Sequence, residues 1–168
     1  ASATTIDTNA TTNAADITIA AVTGGSNNLT LSTGNNITGA DITASGAISG
    51  LGNLTLADVG GTATFSNNVA AAALSADNTV ANITFTGSTN TFSGAASFTN
   101  DGTLTLGNAA GDSFTFNGGI TESTTGTVTL ASAISSSNDA ISFGTVTLGS
   151  NVTIDTNASS TTGDLTLG

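Results

Sequence analysis

The sequence predicts an all-β chain wound as a parallel β-helix, and three observations lead there. Apolar and polar residues alternate over many short stretches. Clusters of Gly, Asn, Ser and Asp separate those stretches, and no stripe of helical periodicity runs for a useful length. Successive side chains of a strand point to opposite faces, so alternation buries one set and exposes the other.

The alternating pieces can be read off in chain order. Ile17-Thr18-Ile19, Leu29-Thr30-Leu31, Leu54-Thr55-Leu56 and Ile83-Thr84-Phe85 come first. Leu104-Thr105-Leu106, Phe114-Thr115-Phe116, Val128-Thr129-Leu130 and Val146-Thr147-Leu148 follow, and Val152-Thr153-Ile154 and Leu165-Thr166-Leu167 close the series. Each places two apolar groups inward and a threonine outward, and Thr, Val, Ile and Phe suit a pleated, half-buried surface. The expected core therefore includes Leu29, Leu31, Leu54, Leu56, Ile83, Phe85, Leu104, Leu106, Phe114, Phe116, Val128 and Leu130. Between the pieces, Gly24-Gly25-Ser26-Asn27-Asn28, Gly34-Asn35-Asn36 and Asn117-Gly118-Gly119 are turn sequences that tolerate positive φ or bond their own backbone.

Short strands with short separators also suit a β-sandwich. Three features favour the solenoid. Small residues dominate, which fits tight corners and a narrow interior. Phrases recur: Gly126-Thr127-Val128-Thr129-Leu130 returns as Gly144-Thr145-Val146-Thr147-Leu148, and Asn28-Leu29-Thr30-Leu31 as Asn53-Leu54-Thr55-Leu56. Asn is abundant at the turns, where stacked coils can form amide ladders. A longer period overlies these. Thr5-Ile6-Asp7-Thr8-Asn9-Ala10 reappears as Thr153-Ile154-Asp155-Thr156-Asn157-Ala158, and Asp16-Ile17-Thr18-Ile19 aligns with Asp164-Leu165-Thr166-Leu167. The expected organisation is one unit over 1–148, with 149–168 opening the next copy in an environment equivalent to 1–20.

Composition narrows function. The 168 residues contain no Lys, Arg, His, Cys, Met, Trp, Tyr or Pro, and the net charge of −11 comes from eleven scattered carboxylates. Without His, Cys, Lys or Tyr the usual general bases and activated nucleophiles are missing, so no catalytic residue is assigned and the chain is expected not to be an enzyme. A paired-carboxylate glycosidase would need two acids, yet Glu122 is the only Glu and aromatic platforms are scarce; a polysaccharide-active β-helix is the weakest alternative. Phosphate affinity comes from Lys and Arg, which excludes nucleic acid as a partner and disfavours anionic membranes. No run approaches the ~20 apolar residues of a membrane-spanning helix, so no membrane insertion by this segment is expected. Residues 1–20 show neither a basic n-region nor an apolar h-region, and with no Met the chain reads as a processed product or an excerpt. The acids are expected to be solvated on coil surfaces, with their self-repulsion relieved by salt or lower pH.

No metal or cofactor ligand is assigned. Calcium takes several carboxylate and carbonyl oxygens, and Asn138-Asp139 and Asn100-Asp101-Gly102 are the nearest candidates, both ordinary turn phrases. Asn-x-Ser/Thr sequons fall at Asn9, Asn28, Asn36, Asn53, Asn82, Asn151 and Asn157, as expected by chance in so Asn- and Thr-rich a chain. Thr62-Ala63-Thr64, Thr103-Leu104-Thr105, Thr127-Val128-Thr129 and Thr145-Val146-Thr147 put two threonines on one strand face. Stacked rows of that kind form the flat face of some ice-binding solenoids, but the unequal spacing of the motifs argues against a regular array.

Phrases such as Asn82-Ile83-Thr84-Phe85-Thr86-Gly87-Ser88-Thr89-Asn90-Thr91-Phe92-Ser93-Gly94 resemble the passenger regions of bacterial autotransporters and the repeat regions of filamentous-haemagglutinin-type adhesins. The resemblance lies in composition and rhythm over most of the chain. It implies a long secreted β-solenoid on a bacterial surface, extracellular in location and structural or adhesive in role. Partners would be copies of itself, in tandem or end to end, with other cell surfaces or glycans. A second expectation is a filament or sheath subunit joined through strand edges, since the chain lacks the Lys and Pro that usually blunt them.

Overall fold

A computed structural model describes residues 2–156 and 163–168 and shows a β-solenoid of about seven turns. No helix occurs among the described residues. Every strand pairing is parallel. The fold is the β-helix of the sequence analysis rather than a sandwich.

Each coil visits three faces in turn. Face 1 is a seven-stranded sheet of Ile17–Ile19, Ile42–Ala44, Thr62–Phe65, Asn82–Phe85, Leu104–Leu106, Val128–Leu130 and Val146–Leu148. Faces 2 and 3 are two limbs of a thirteen-stranded sheet, joined where Ile48–Ala57 and Val69–Ala76 run on from one limb to the other. Face 2 continues with Val22–Thr23 on one side of these long strands, and with Thr89–Phe92, Ser113–Phe116, Ala133–Ser135 and Thr153–Asp155 on the other. Face 3 carries Ala3–Asp7 and Asn28–Ser32, then Ala96–Phe98, Ile120–Glu122, Ile141–Phe143 and Leu165–Leu167. At ~4.8 Å between paired strands the seven turns make a rod roughly 34 Å long.

The interior is one continuous apolar cluster from Ile17 to Phe143. All twelve residues placed inward from the sequence are buried, none more than 4% exposed. Both recurring phrases stack directly: Leu29 and Leu31 pair with Leu54 and Leu56, and Val128 and Leu130 with Val146 and Leu148. The seven phenylalanines fill the later coils, and three stand over alanine in the coil before. Phe65 pairs with Ala44, Phe92 with Ala71 and Phe98 with Ala76. In a close-packed interior alanine makes room for the ring of the next coil, as along the Ala-rich strand Val69–Ala76, whereas Phe65 with Phe85 and Phe92 with Phe116 stack ring on ring in successive coils.

Corners absorb the varying coil length. Gly34, Asn35 and Asn36 hold φ of 76°, 45° and 51°, in the left-handed region where Gly and Asn are most at ease. Gly46 is required for another reason: a Cβ there would lie 1.4 Å from the Ala20 carbonyl oxygen of the preceding coil.

The expected amide ladders take a different form. The Asn and Asp side chains mostly bond backbone of the neighbouring coil rather than one another. Asp16 Oδ1 accepts from the Asp41 N–H at 2.9 Å and Asp41 Oδ1 from the Thr62 N–H at 2.7 Å. Asn28, Asn68 and Asn82 accept in the same way from the N–H groups of Asn53, Thr89 and Thr103. A side-chain oxygen just before one strand thus extends the ladder to the next coil, where the backbone alone would leave a donor unpaired.

The two segments related by the 148-residue period rebuild one corner at two places. Thr8 Oγ1 donates to the Ala15 carbonyl at 3.2 Å, and Thr156 Oγ1 donates to the Gly163 carbonyl at 2.7 Å. Asn157 and Ala158 of the matched phrase lie outside the described residues. The flanking strands, however, occupy different faces. Ala3–Asp7 lies on face 3 and Thr153–Asp155 on face 2, while Ile17–Ile19 lies on face 1 and Leu165–Leu167 on face 3.

Candidate functional site

The carboxylates are the only ionisable side chains, and many are engaged by the backbone. Glu122 ends strand Ile120–Glu122 with its side chain turned inward, 5% exposed. Its Oε1 accepts from the Thr124 N–H and its Oε2 from the Gly144 N–H of the next coil at 2.8 Å. Asp112, also buried, accepts through Oδ2 from the Asn108 and Ala109 N–H groups at 2.8 and 3.1 Å, closing the turn before Ser113–Phe116. Asp77 accepts from both the N–H and the hydroxyl of Thr79. The expectation that all the acids are solvated surface charges is therefore corrected for Glu122 and Asp112. Apolar alternation cannot reveal an inward carboxylate whose partners are backbone donors.

The turn phrases weighed for calcium build corners. Asn100 is buried, and its Nδ2 donates to the carbonyls of Ala81 at 3.2 Å and Thr103 at 3.1 Å; its Oδ1 has no partner among the described residues. Asp101 Oδ1 accepts from the Thr125 hydroxyl at 3.1 Å. Asn138 holds φ 74°, and the Asp139 carbonyl accepts from Ser136 Oγ at 2.6 Å. Among the described residues no three acids converge as a metal would require.

Two concavities mark the described surface. A shallow notch of about 330 Å³ where faces 2 and 3 meet is lined by Ser26, Leu51, Ala70, Ala71, Thr91 and Ser93, with no charged or aromatic group. A second, of about 270 Å³, opens at the amino-terminal end beside Ile6, Val22 and Leu29. No helix of the described residues is long and apolar enough to cross a membrane.

The most regular surface is face 1. Thr18, Thr43, Thr64, Thr84, Thr105, Thr129 and Thr147 pair Cα to Cα through all seven strands, without a register shift. Two residues earlier along the chain, within or just before each strand, stand Asp16, Asp41, Thr62, Asn82, Thr103, Thr127 and Thr145. All four Thr-x-Thr motifs therefore lie on this one face. Their unequal spacing in sequence, read as an argument against a regular array, is taken up at the corners. Among the described residues, large exposed apolar side chains are confined to the two ends of the solenoid: Ile6 at one, Leu148, Leu165 and Leu167 at the other.

No protein-family model matches this chain, and no curated protein or solved structure is similar to it.

Proposed function

We propose that the chain is a non-catalytic rod module of an extracellular or bacterial cell-surface fibre, structural or adhesive in role. The observation that carries this reading is the way the acids are used. Glu122, Asp112, Asp77, Asp41 and Asp16 hold turns and join coils through backbone N–H groups, so these ionisable groups are committed to the architecture. The resemblance in rhythm to autotransporter passengers and haemagglutinin-type repeats points the same way. A solenoid gains stability from contacts between neighbouring coils, so a terminal coil with bare apolar residues favours another coil beyond it. Ile6, Leu148, Leu165 and Leu167 are such residues. They also support the second reading, a filament subunit whose end coils meet those of a second copy.

Small-angle scattering of the single chain and of two copies fused in tandem tests the rod. The fusion should roughly double the length, by about 34 Å, at constant cross-section. Antibody labelling of intact source cells tests location. A fusion that folds back on itself, labelling only after permeabilisation, or turnover of polymeric sugars by the chain would each overturn the reading.

A further inference from the structure

The geometry points to face 1 as an ice-binding surface, a function separate from the rod reading and independent of it. The central rank of seven threonines repeats at the strand spacing, ~4.8 Å, over about 29 Å. The second rank stands two residues earlier and is threonine at Thr62, Thr103, Thr127 and Thr145; Thr62 pairs with Asn82 inside the strands, the last three stand just before theirs, and Thr103 Oγ1 donates to Asn82 Oδ1 at 2.9 Å. The central rank is thus a regular row of hydroxyl and methyl groups, flanked on one side by a second, partly threonine row. Its acids, Asp16 and Asp41, are confined to the first two coils.

Three properties suit this surface to a crystalline ligand. First, the hydroxyls of the seven central threonines make no hydrogen bond to protein among the described residues, so their donors and acceptors are free. Second, β-branching restricts χ1, so each hydroxyl and methyl is held in place before anything binds, and that ordering cost falls away on binding. Third, the register is unbroken on face 1, whereas the sheet of faces 2 and 3 shifts between Ile48 and Leu51. The other faces also lack the uniform rank. Face 2 presents Ala70, Thr91, Thr115, Ser135 and Asp155 in line. Face 3 mixes in Ser75, Ser97 and Ser142, whose hydroxyls lack the β-branch constraint.

Ice offers a fixed array of oxygens on a similar scale, where liquid water has no lattice to match. Methyl groups between the hydroxyls keep the surface from binding liquid water tightly, and bridging waters hold nearly as well as direct hydrogen bonds. Sugar polymers are the less suited ligand, because recognition of a sugar ring favours an aromatic platform and all seven phenylalanines are buried.

The test is thermal hysteresis by nanolitre osmometry, with inhibition of ice recrystallisation as a second readout. The wild-type chain should open a gap between melting and freezing points and keep ice grains small. Thr84→Lys with Thr105→Lys should abolish most of the gap, and Ser97→Lys with Thr121→Lys on face 3 should leave it unchanged. Far-UV circular dichroism verifies that both variants fold, and both replace outward side chains. A wild-type chain without hysteresis or recrystallisation inhibition overturns the inference, with no variant needed. Equal loss in the two folded variants overturns it as well.

Discussion

Replacing Phe85 by Ala should weaken this rod more than replacing any other phenylalanine, because Phe85 touches the most rings. It stacks on Phe65 with centroids 4.7 Å apart, and meets Phe92 and Phe114 edge-on at 6.3 and 6.0 Å. Truncating a buried Phe to Ala costs about 3–5 kcal/mol through lost transfer energy and the cavity left behind. Each ring pair contributes about 0.5–1.5 kcal/mol beyond area, so three pairs place Phe85→Ala near the top of that range. Phe143 is equally buried but shares no ring contact among the described residues, so Phe143→Ala belongs near the bottom, a difference of about 2 kcal/mol. Because solenoid stability is a sum of neighbour terms, a weak rung in mid-rod should also broaden the transition. With no Trp or Tyr to report by fluorescence, urea unfolding followed by far-UV circular dichroism is the suitable assay. A Phe85→Ala loss equal to or smaller than that of Phe143→Ala would refute the claim that the ring contacts add stability.

Three further outcomes are expected. Glu122→Ala leaves the Thr124 and Gly144 N–H groups without their acceptor in a half-buried corner and should cost about 3 kcal/mol, the low end for two bonds to a charged acceptor at roughly 1.5–3 kcal/mol each; Glu122→Gln keeps one acceptor and should lose about half, both read from urea midpoints. Gly46→Ala drives a methyl into the Ala20 carbonyl and should destabilise by about 3 kcal/mol or more, seen as a lower thermal midpoint. Raising salt from about 10 mM to 0.5 M screens carboxylates that have no cationic side chain to offset them, and should raise the midpoint by about 2–4 °C in a calorimetric scan. Protonation would relieve the same repulsion but remove acceptors that hold corners, so salt is the cleaner probe.

Much of the fold was legible because the strongest signal, apolar–Thr–apolar, marks strands with two large inward groups. All ten such pieces fall in or against strands. Ile141–Phe143 has two large inward groups but serine in place of the central threonine, and most of the other strands outside the pattern carry small or polar inward residues. Ile42–Ala44 and Val69–Ala76 use alanine where a ring leans in from the next coil, Ala96–Phe98 sets Ala96 between Leu74 and Ile120, and Ile120–Glu122 ends in an inward acid. Those choices answer to a neighbour some twenty residues away, which local alternation does not record. The threonine face was half legible. Its motifs were visible one by one, but their alignment depends on corner lengths, and successive coils on face 1 range from 18 residues (Val128 to Val146) to 25 (Ile17 to Ile42).

The displaced repeat carries an azimuthal consequence. The segment that opens the chain on faces 3 and 1 returns 148 residues later on faces 2 and 3, one face short of seven whole coils. Thr18 heads the threonine rank of face 1, and its counterpart Thr166 stands on face 3. Were the same period continued along a fibre, each unit would be rotated by a third of a turn against the one before. The threonine row would then wind round the rod as a discontinuous screw, and three successive units would present it to every direction in turn.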